Sequence, residues 1–134
     1  MVLVERQGIP LGLTITTASP PESQLAEATL HTRVTPRRRL PQQLIADRGY
    51  DSDPLRERLA ARGVILTCPY RRNNLRRRYE DGRRLRQYRH RWIVERTIAW
   101  FGGFRRLQVR YERSTRLFLA FFQFAAALIA LRWL

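Results

Sequence analysis

The stretch Gln43-Leu44-Ile45-Ala46-Asp47-Arg48-Gly49-Tyr50-Asp51-Ser52-Asp53-Pro54-Leu55, completed by Gly63-Val64-Ile65-Leu66-Thr67-Cys68-Pro69, decides the fold. Gln43 to Asp47 reads as a strand, since an apolar run this short, bounded by turn residues, suits a strand better than a helix. Arg48 to Ser52 has the glycine and short polar side chains of a turn. A helix is predicted next: Asp53 is placed to cap it and Pro54 fits its first position. Leu55 and Leu59 form its apolar stripe, and Gly63 ends it. Val64 to Cys68 is a second strand, stopped by Pro69. Strand, helix and strand in this tight order predict an α/β sheet with a crossover connection.

Outward from this unit, Met1 to Glu5 and Leu11 to Thr17 read as two further strands. Leu11, Leu13 and Ile15 alternate with Gly12, Thr14 and Thr16, giving one apolar face, and Gln7 to Pro10 supplies a hairpin turn. Glu22 to Leu30 reads as a helix with Leu25, Ala26 and Leu30 on one side. Arg33 to Pro41 and Arg71 to Arg84 read as basic loops. A longer helix is expected from about Leu85 to Trp100. On its 3.6-residue period, Tyr88, Arg91 and Glu95 share one face, with Ile93, Thr97, Trp100 and Phe104 nearly opposite. Leu117 to Leu131 is apolar except for Gln123. It falls short of the roughly 18 residues that span a bilayer and is expected to be a buried helix covering a sheet. Nothing resembles a linker or a repeat, so residues 1–134 are expected to form a single domain or a piece of one.

The 134 residues carry 26 basic side chains against 11 acids, a formal charge of +15, and every basic residue is arginine. An excess this large repels itself unless an anionic partner neutralises it, and nucleic acid is the leading candidate. Arginine's planar fork suits bidentate phosphate contacts. Between Arg71 and Arg116 there are sixteen arginines and four acids. Tyr79, Tyr88, Trp92 and Tyr111 interleave with them, as on surfaces that meet phosphates and bases. Cys68 stands alone, which excludes an internal disulfide and cysteine-based zinc sites. Its apolar surroundings mark it as a core residue. Glu5 and Arg6 interrupt any leader-like apolar stretch, so a cytoplasmic location without membrane attachment is expected.

Two acids stand in contrasting settings. Asp47 ends a strand, whereas Glu95 lies on a strongly basic helix. Such a pair can hold Mg²⁺, a hard cation that takes a few carboxylate oxygens together with water and phosphate. Arginine on all sides makes a polyphosphate backbone the natural ligand and points to metal-dependent phosphoryl transfer on DNA. The plainer reading gives Glu95 a salt bridge to Arg91 or Arg96 and Asp47 a turn-forming role. Asp51 and Asp53 are expected to serve local turn and cap roles.

Four motifs in order then carry a resemblance. They are Gly8-Ile9-Pro10-Leu11-Gly12; Leu44-Ile45-Ala46-Asp47-Arg48-Gly49-Tyr50-Asp51-Ser52; Tyr88-x-x-Arg91-x-x-x-Glu95-Arg96; and Trp100 with Arg105-Arg106-Leu107-x-x-Arg110-Tyr111-Glu112. Together they resemble the DDE transposases of bacterial insertion sequences, over nearly the whole chain. The resemblance implies an α/β, ribonuclease-H-like mixed sheet with flanking helices, N-terminally truncated, as a single partial catalytic domain over residues 1–134. It implies cleavage and strand transfer of DNA with Mg²⁺ or Mn²⁺ held by Asp47 and Glu95 as the second and third acids. Tyr88 and Arg91 would position DNA near the scissile phosphate, and Arg105 and Arg106 are further candidate DNA contacts, in place of a lysine that this chain lacks. Partners would be transposon ends, target DNA and a second copy of the chain. The first acid of the triad belongs upstream of Met1, so an N-terminal transposase polypeptide is an expected partner, and the chain alone is expected to be incomplete. Glu5, beside a turn, is a poor substitute. The chain also has Gly102 where some relatives carry a lysine seven residues after the glutamate. The competing expectation is a non-catalytic, arginine-rich nucleic-acid-binding protein in which Asp47 and Glu95 are incidental.

Overall fold

Leu55, Leu59 and Val64 have no solvent exposure, and burying them folds the chain back on itself after residue 47. A computed structural model describes residues 1–16, 21–35, 39–75 and 82–133. Strand β1 (Val2–Val4) and strand β2 (Pro10–Leu13) form an antiparallel hairpin, followed by helix α1 (Glu22–His31). Strand β3 (Gln43–Ile45) leads through a 3-10 turn (Arg48–Tyr50) into helix α2 (Asp53–Ala61), which returns the chain to strand β4 (Ile65–Thr67). β3 and β4 are parallel, with Leu44 opposite Leu66. Parallel neighbours require such a crossover, and α2 supplies it.

The helix cap differs from expectation by one residue. Ser52 is the cap, its Oγ accepting from the Leu55 amide at 3.4 Å, while Asp53 opens the helix and Pro54 follows it. The serine hydroxyl reaches the third helical amide, which a capping side chain satisfies best. Gly63 ends the return turn with φ +76°, a conformation that costs a glycine little.

The hairpin separates two apolar clusters. Leu3 packs against Ala26, Leu30, Leu55, Leu59, Val64, Leu66 and Cys68, whereas its neighbour Val2 packs against Leu13, Phe101, Ala125 and Ile129. Successive strand side chains point to opposite faces, so one strand feeds both cores. The single mixed sheet that the resemblance implied is therefore not what the described residues form. They make two separate two-stranded sheets, β1–β2 and β3–β4. Both faces of the hairpin are covered by helices instead. β2 is shorter than predicted and ends at Leu13, and residues 17–20 lie outside the described set.

The predicted helix from Leu85 to Trp100 is broken into pieces. Helix α3 (Gly82–Leu85) passes into a 3-10 stretch (Arg86–Arg91) and then into helix α4 (Trp92–Gly102). Arg83, Arg86 and Arg89 repeat like charges three residues apart, which weakens an α-helix, and no residue from Gly82 to Arg91 is buried to hold one against the core. Ile93, Thr97 and Phe101 form the buried face of α4; Phe104 lies past its end, before helix α5 (Arg105–Gln108). Residues 76–81 of the basic segment, including Tyr79, and residues 36–38 of the earlier loop are outside the described residues.

Helix α6 (Thr115–Leu131) also departs from expectation. It packs on β2, α4 and α5, but only Ala125 and Ile129 are fully buried, and Leu117, Phe124 and Leu131 are exposed. A two-stranded hairpin is too narrow to enclose a helix of 17 residues. Among the described residues no helix is long and apolar enough to cross a membrane.

Thr97 ties α4 to the hairpin turn. Its hydroxyl lies 2.7 Å from the Gly8 carbonyl oxygen and 3.1 Å from that of Ile93, and the side chain is wholly buried. Gly8 itself has φ +95°, and a Cβ there would stand 2.9 Å from the Arg96 guanidinium. Replacing Thr97 by Val keeps the shape but strands the Gly8 carbonyl without its buried donor. Thr97→Val is expected to lower the unfolding free energy by about 1–3 kcal/mol, read from urea titrations; an unchanged midpoint would show that this contact does not anchor α4.

Candidate active site

Parallel strands gather their carboxyl ends on one edge, and in open α/β sheets that edge is where ligands bind. Here it carries Asp47, two residues past β3, and Cys68, directly past β4. Ala46 extends the pairing by donating to the Thr67 carbonyl at 3.0 Å, so Asp47 leaves the sheet from a fixed point. Its backbone is extended, and Oδ1 accepts the Gly49 amide at 2.8 Å, capping the 3-10 turn. The turn-forming role weighed for Asp47 is thus real, and its carboxylate stays half-buried at this edge. Glu22, at the start of α1, also approaches Gly49; a Cβ at Gly49 would collide with both carboxylates.

The electrostatics of this edge are strongly perturbed. The Tyr50 phenol is pushed up to about 12, first by burial and then by the negative charges of Glu22 and Asp47. The Cys68 thiol is pushed up to about 11, chiefly by burial, with Asp51 and Asp47 adding to the shift against Arg56. Such a thiol is neutral at physiological pH, so Cys68 acts as a packed core residue, as its apolar surroundings predicted.

Behind Asp47 lies a polar hub that the sequence reading did not single out. Arg56 is buried on α2 and bonds Asp51 at 2.6 Å, Asp53 at 3.1 Å and both the carbonyl and sulfur of Cys68. Its guanidinium also stacks 4.3 Å from the Tyr70 ring centre. The Asp51 side chain is only 1% exposed. It accepts from Arg56, from the Arg71 amide at 2.7 Å and from the Asn74 amide group at 3.3 Å. Burial alone would raise the Asp51 pKa, but these hydrogen bonds and the Arg56 charge carry it below the ordinary 3.8. Asp51 therefore does far more than shape a turn. The available signal was an arginine beside an apolar stripe with acids three and five residues before it.

Tyr88, Arg91 and Glu95 come together on one face as the helical period predicted, even though a 3-10 stretch replaces part of the helix. Arg91 pairs with Glu95 at 2.5 Å and stands 5.7 Å from the Tyr88 ring centre. The Glu95 side chain is 53% exposed, so this pair is a weak, water-screened one. The stretch Arg86–Arg91 neighbours β3 and runs directly into α4. Glu95 thus lies in the first turn of a helix that begins beside the strand leading to Asp47. Arg105 and Arg106 are both exposed, but Arg106 also bonds the buried Glu112 carboxylate at 3.0 Å and lies over the Phe121 ring. Glu5 serves its turn, accepting the Gln7 amide on its carboxylate and the Gly8 amide on its carbonyl. Asp47 and Glu95 offer the oxygen donors a hard cation takes. Among the described residues, however, no group of three or more His, Cys, Asp and Glu side chains converges as a metal cage.

Against known proteins, the family described as "Transposase DDE domain" matches residues 1–130. The chain is also 42% identical over 89 residues, 66% of its length, to a protein from Burkholderia cepacia that bears the name of a transposase for insertion sequence element IS402. The chain spans 38% of that relative's length. No solved structure matches it.

The Asp51 hub makes folding stability acid-sensitive. Because the folded-state pKa lies below 3.8, the stabilisation is fully present above that value and is lost as pH falls through the lower folded-state pKa. Urea midpoints recorded from about pH 6 down to about pH 2 should drop steeply below about 4. In Asp51→Asn the midpoint should be lower at about pH 6, with a shallower fall in the acid window, so that the two profiles converge as Asp51 protonates. Parallel profiles for the two chains would assign the acid sensitivity to other carboxylates.

Proposed function

Since the chain belongs to the family of transposase DDE domains, we propose that it is the part of a DNA transposase that supplies the second and third metal-holding acids, Asp47 and Glu95. The reaction is cleavage at transposon ends and strand transfer to target DNA, on a ribonuclease-H-like framework, in the cytoplasm. The observation that carries this reading is the placement of Asp47 at the carboxyl edge of a parallel strand pair, with the basic Tyr88–Arg91–Glu95 face beginning alongside the same strand.

The two acids fit a divalent cation, Mg²⁺ or Mn²⁺, in donor type. When bound, such ions activate a water or 3′-hydroxyl and stabilise the leaving oxygen of an in-line displacement at phosphorus. The chain's own residues do the rest. The Gly49 amide holds Asp47 in one orientation. Arg91, resting on Glu95 in a screened surface pair, is free to exchange that partner for a phosphate, which at once anchors DNA and uncovers the carboxylate. Tyr88 flanks Arg91 and offers a ring face to the sugar or base beside that phosphate. Arg105 adds a basic contact, and Arg106 would do so only by leaving Glu112. The first acid position would be filled from elsewhere in the complete transposase, with a separate N-terminal transposase polypeptide as one source.

A reading without chemistry draws on the closed Arg91–Glu95 pair, which makes Glu95 an ordinary helix-surface acid. Two measurements separate the readings. DNA affinity should fall steeply between about 50 and 200 mM salt, as phosphate neutralisation releases counterions; a flat salt response would remove the DNA-binding premise common to both. In a complete transposase containing this segment, Asp47→Asn and Glu95→Gln should each abolish Mg²⁺-dependent strand cleavage while DNA affinity changes little. Cleavage that survives Glu95→Gln would leave the binding-only reading for this helix.

A further inference from the structure

We infer that Asp51 and Arg71 form a latch that positions Asp47 and joins it rigidly to the start of the basic segment. The inference rests on the reading of Asp47 as a metal-holding acid. Arg71, first in that segment, reaches back twenty-two residues in sequence to the 3-10 turn beside Asp47. Its Nε donates to the Arg48 carbonyl at 3.1 Å and its Nη2 to the Gly49 carbonyl at 2.8 Å. Its backbone amide donates to Asp51 Oδ2 at 2.7 Å. One residue thereby holds three points between Arg48 and Asp51, and the Gly49 amide within the same turn holds Asp47.

Asp51 is the buried post of this latch. Oδ1 is taken by Arg56 from within α2, and Oδ2 receives both Arg71 and Asn74. Both carboxylate oxygens are satisfied by donors from two different segments, so the anion cannot shift without stranding one of them, a costly event at 1% exposure. Arg71 itself is solvent-exposed, which puts the moving end of the latch where a phosphate can reach it. Arginine's fork can hold two carbonyls at once, a geometry lysine's point charge cannot reproduce. The consequence is coupling: a phosphate that engages Arg71, where the basic segment starts, acts on the same side chain that holds the turn beside Asp47. Arg71 and Asp51 are positioning residues, acting on the metal through Asp47 without touching it.

The test uses the full chain, with amide exchange of Gly49 followed by NMR and Mn²⁺ as the metal probe in the presence of duplex DNA. Arg71→Ala removes two charge-assisted hydrogen bonds and should speed Gly49 exchange by about ten-fold, with a matching loss of Asp47-dependent Mn²⁺ affinity. Asp51→Asn should do the same, and circular dichroism will report whether its fold is kept. Arg71→Lys should recover part of the protection, whereas Arg132→Ala, which removes the same charge at the far end of α6, should leave Gly49 exchange unaltered. Unchanged Gly49 exchange in Arg71→Ala would overturn the latch, as would an equal effect of Arg132→Ala. A parent chain whose Mn²⁺ binding is indifferent to Asp47→Asn would instead overturn the metal role of Asp47, and the exchange data would still decide whether the latch exists.

Discussion

Everything at the candidate site depends on the parallel pairing of β3 with β4. Parallel strands cannot be joined by a tight turn, so the chain must leave the sheet, bury a helix and return. The return works because Leu55 and Leu59 on α2 and Val64 beyond it are buried without remainder. Its by-product is chemical: both strands end on the same edge, and whatever follows them is exposed there together. Asp47, Cys68 and the two ends of the Asp51 hub occupy that edge for this reason alone.

The arginines divide by what holds them. Arg56 is buried and spent on Asp51, Asp53 and Cys68. Arg96 lies 4.8 Å from the ring centres of both Trp92 and Trp100 and donates to the Gln7 carbonyl. Arg106 and Arg110 are drawn to Glu112 and to the Phe121 and Phe118 rings, bracing α5 against α6. These are structural cations, each matched to an anion, a carbonyl or an aromatic face. Arg91 belongs to a second kind, held by the Tyr88 ring and by an exposed pair with Glu95 that water and salt weaken. A charge of +15 is thus not one uniform DNA-binding resource. Part of it is folded into the protein, and the exposed remainder is what a phosphate backbone can recruit.

The same division explains why Asp47 is better placed than composition suggests. A carboxylate beside Glu22 would be repelled if nothing opposed it, and the Tyr50 phenol registers that negative field. The turn is nevertheless held: the Asp47 carboxylate accepts the Gly49 amide, the Arg71 side chain donates to the Arg48 and Gly49 carbonyls, and the Arg71 amide is in turn anchored on Asp51. Preorganisation of this kind spares an acid the cost of being ordered when a ligand arrives.

The sequence by itself determined the local elements around Asp47, because turn chemistry, a proline near a helix start and a glycine after its end are decided within a few residues. It also determined that Tyr88, Arg91 and Glu95 share a face, since that follows from helical spacing, and the motif order brought the family into view. It placed the helix cap one residue late, since Ser52 and Asp53 are both good caps and only backbone geometry selects between them. It ran one helix from Leu85 to Trp100, although Arg86–Arg91 folds as a 3-10 stretch with no buried side chain to hold an α-helix against the core. Tertiary structure alone decided the rest. That the strands form two separate pairs, that α6 keeps an apolar outer face, and that Asp51 meets Arg71 across twenty residues are matters of which surfaces find each other. Such meetings join residues remote in sequence, and no local pattern encodes them.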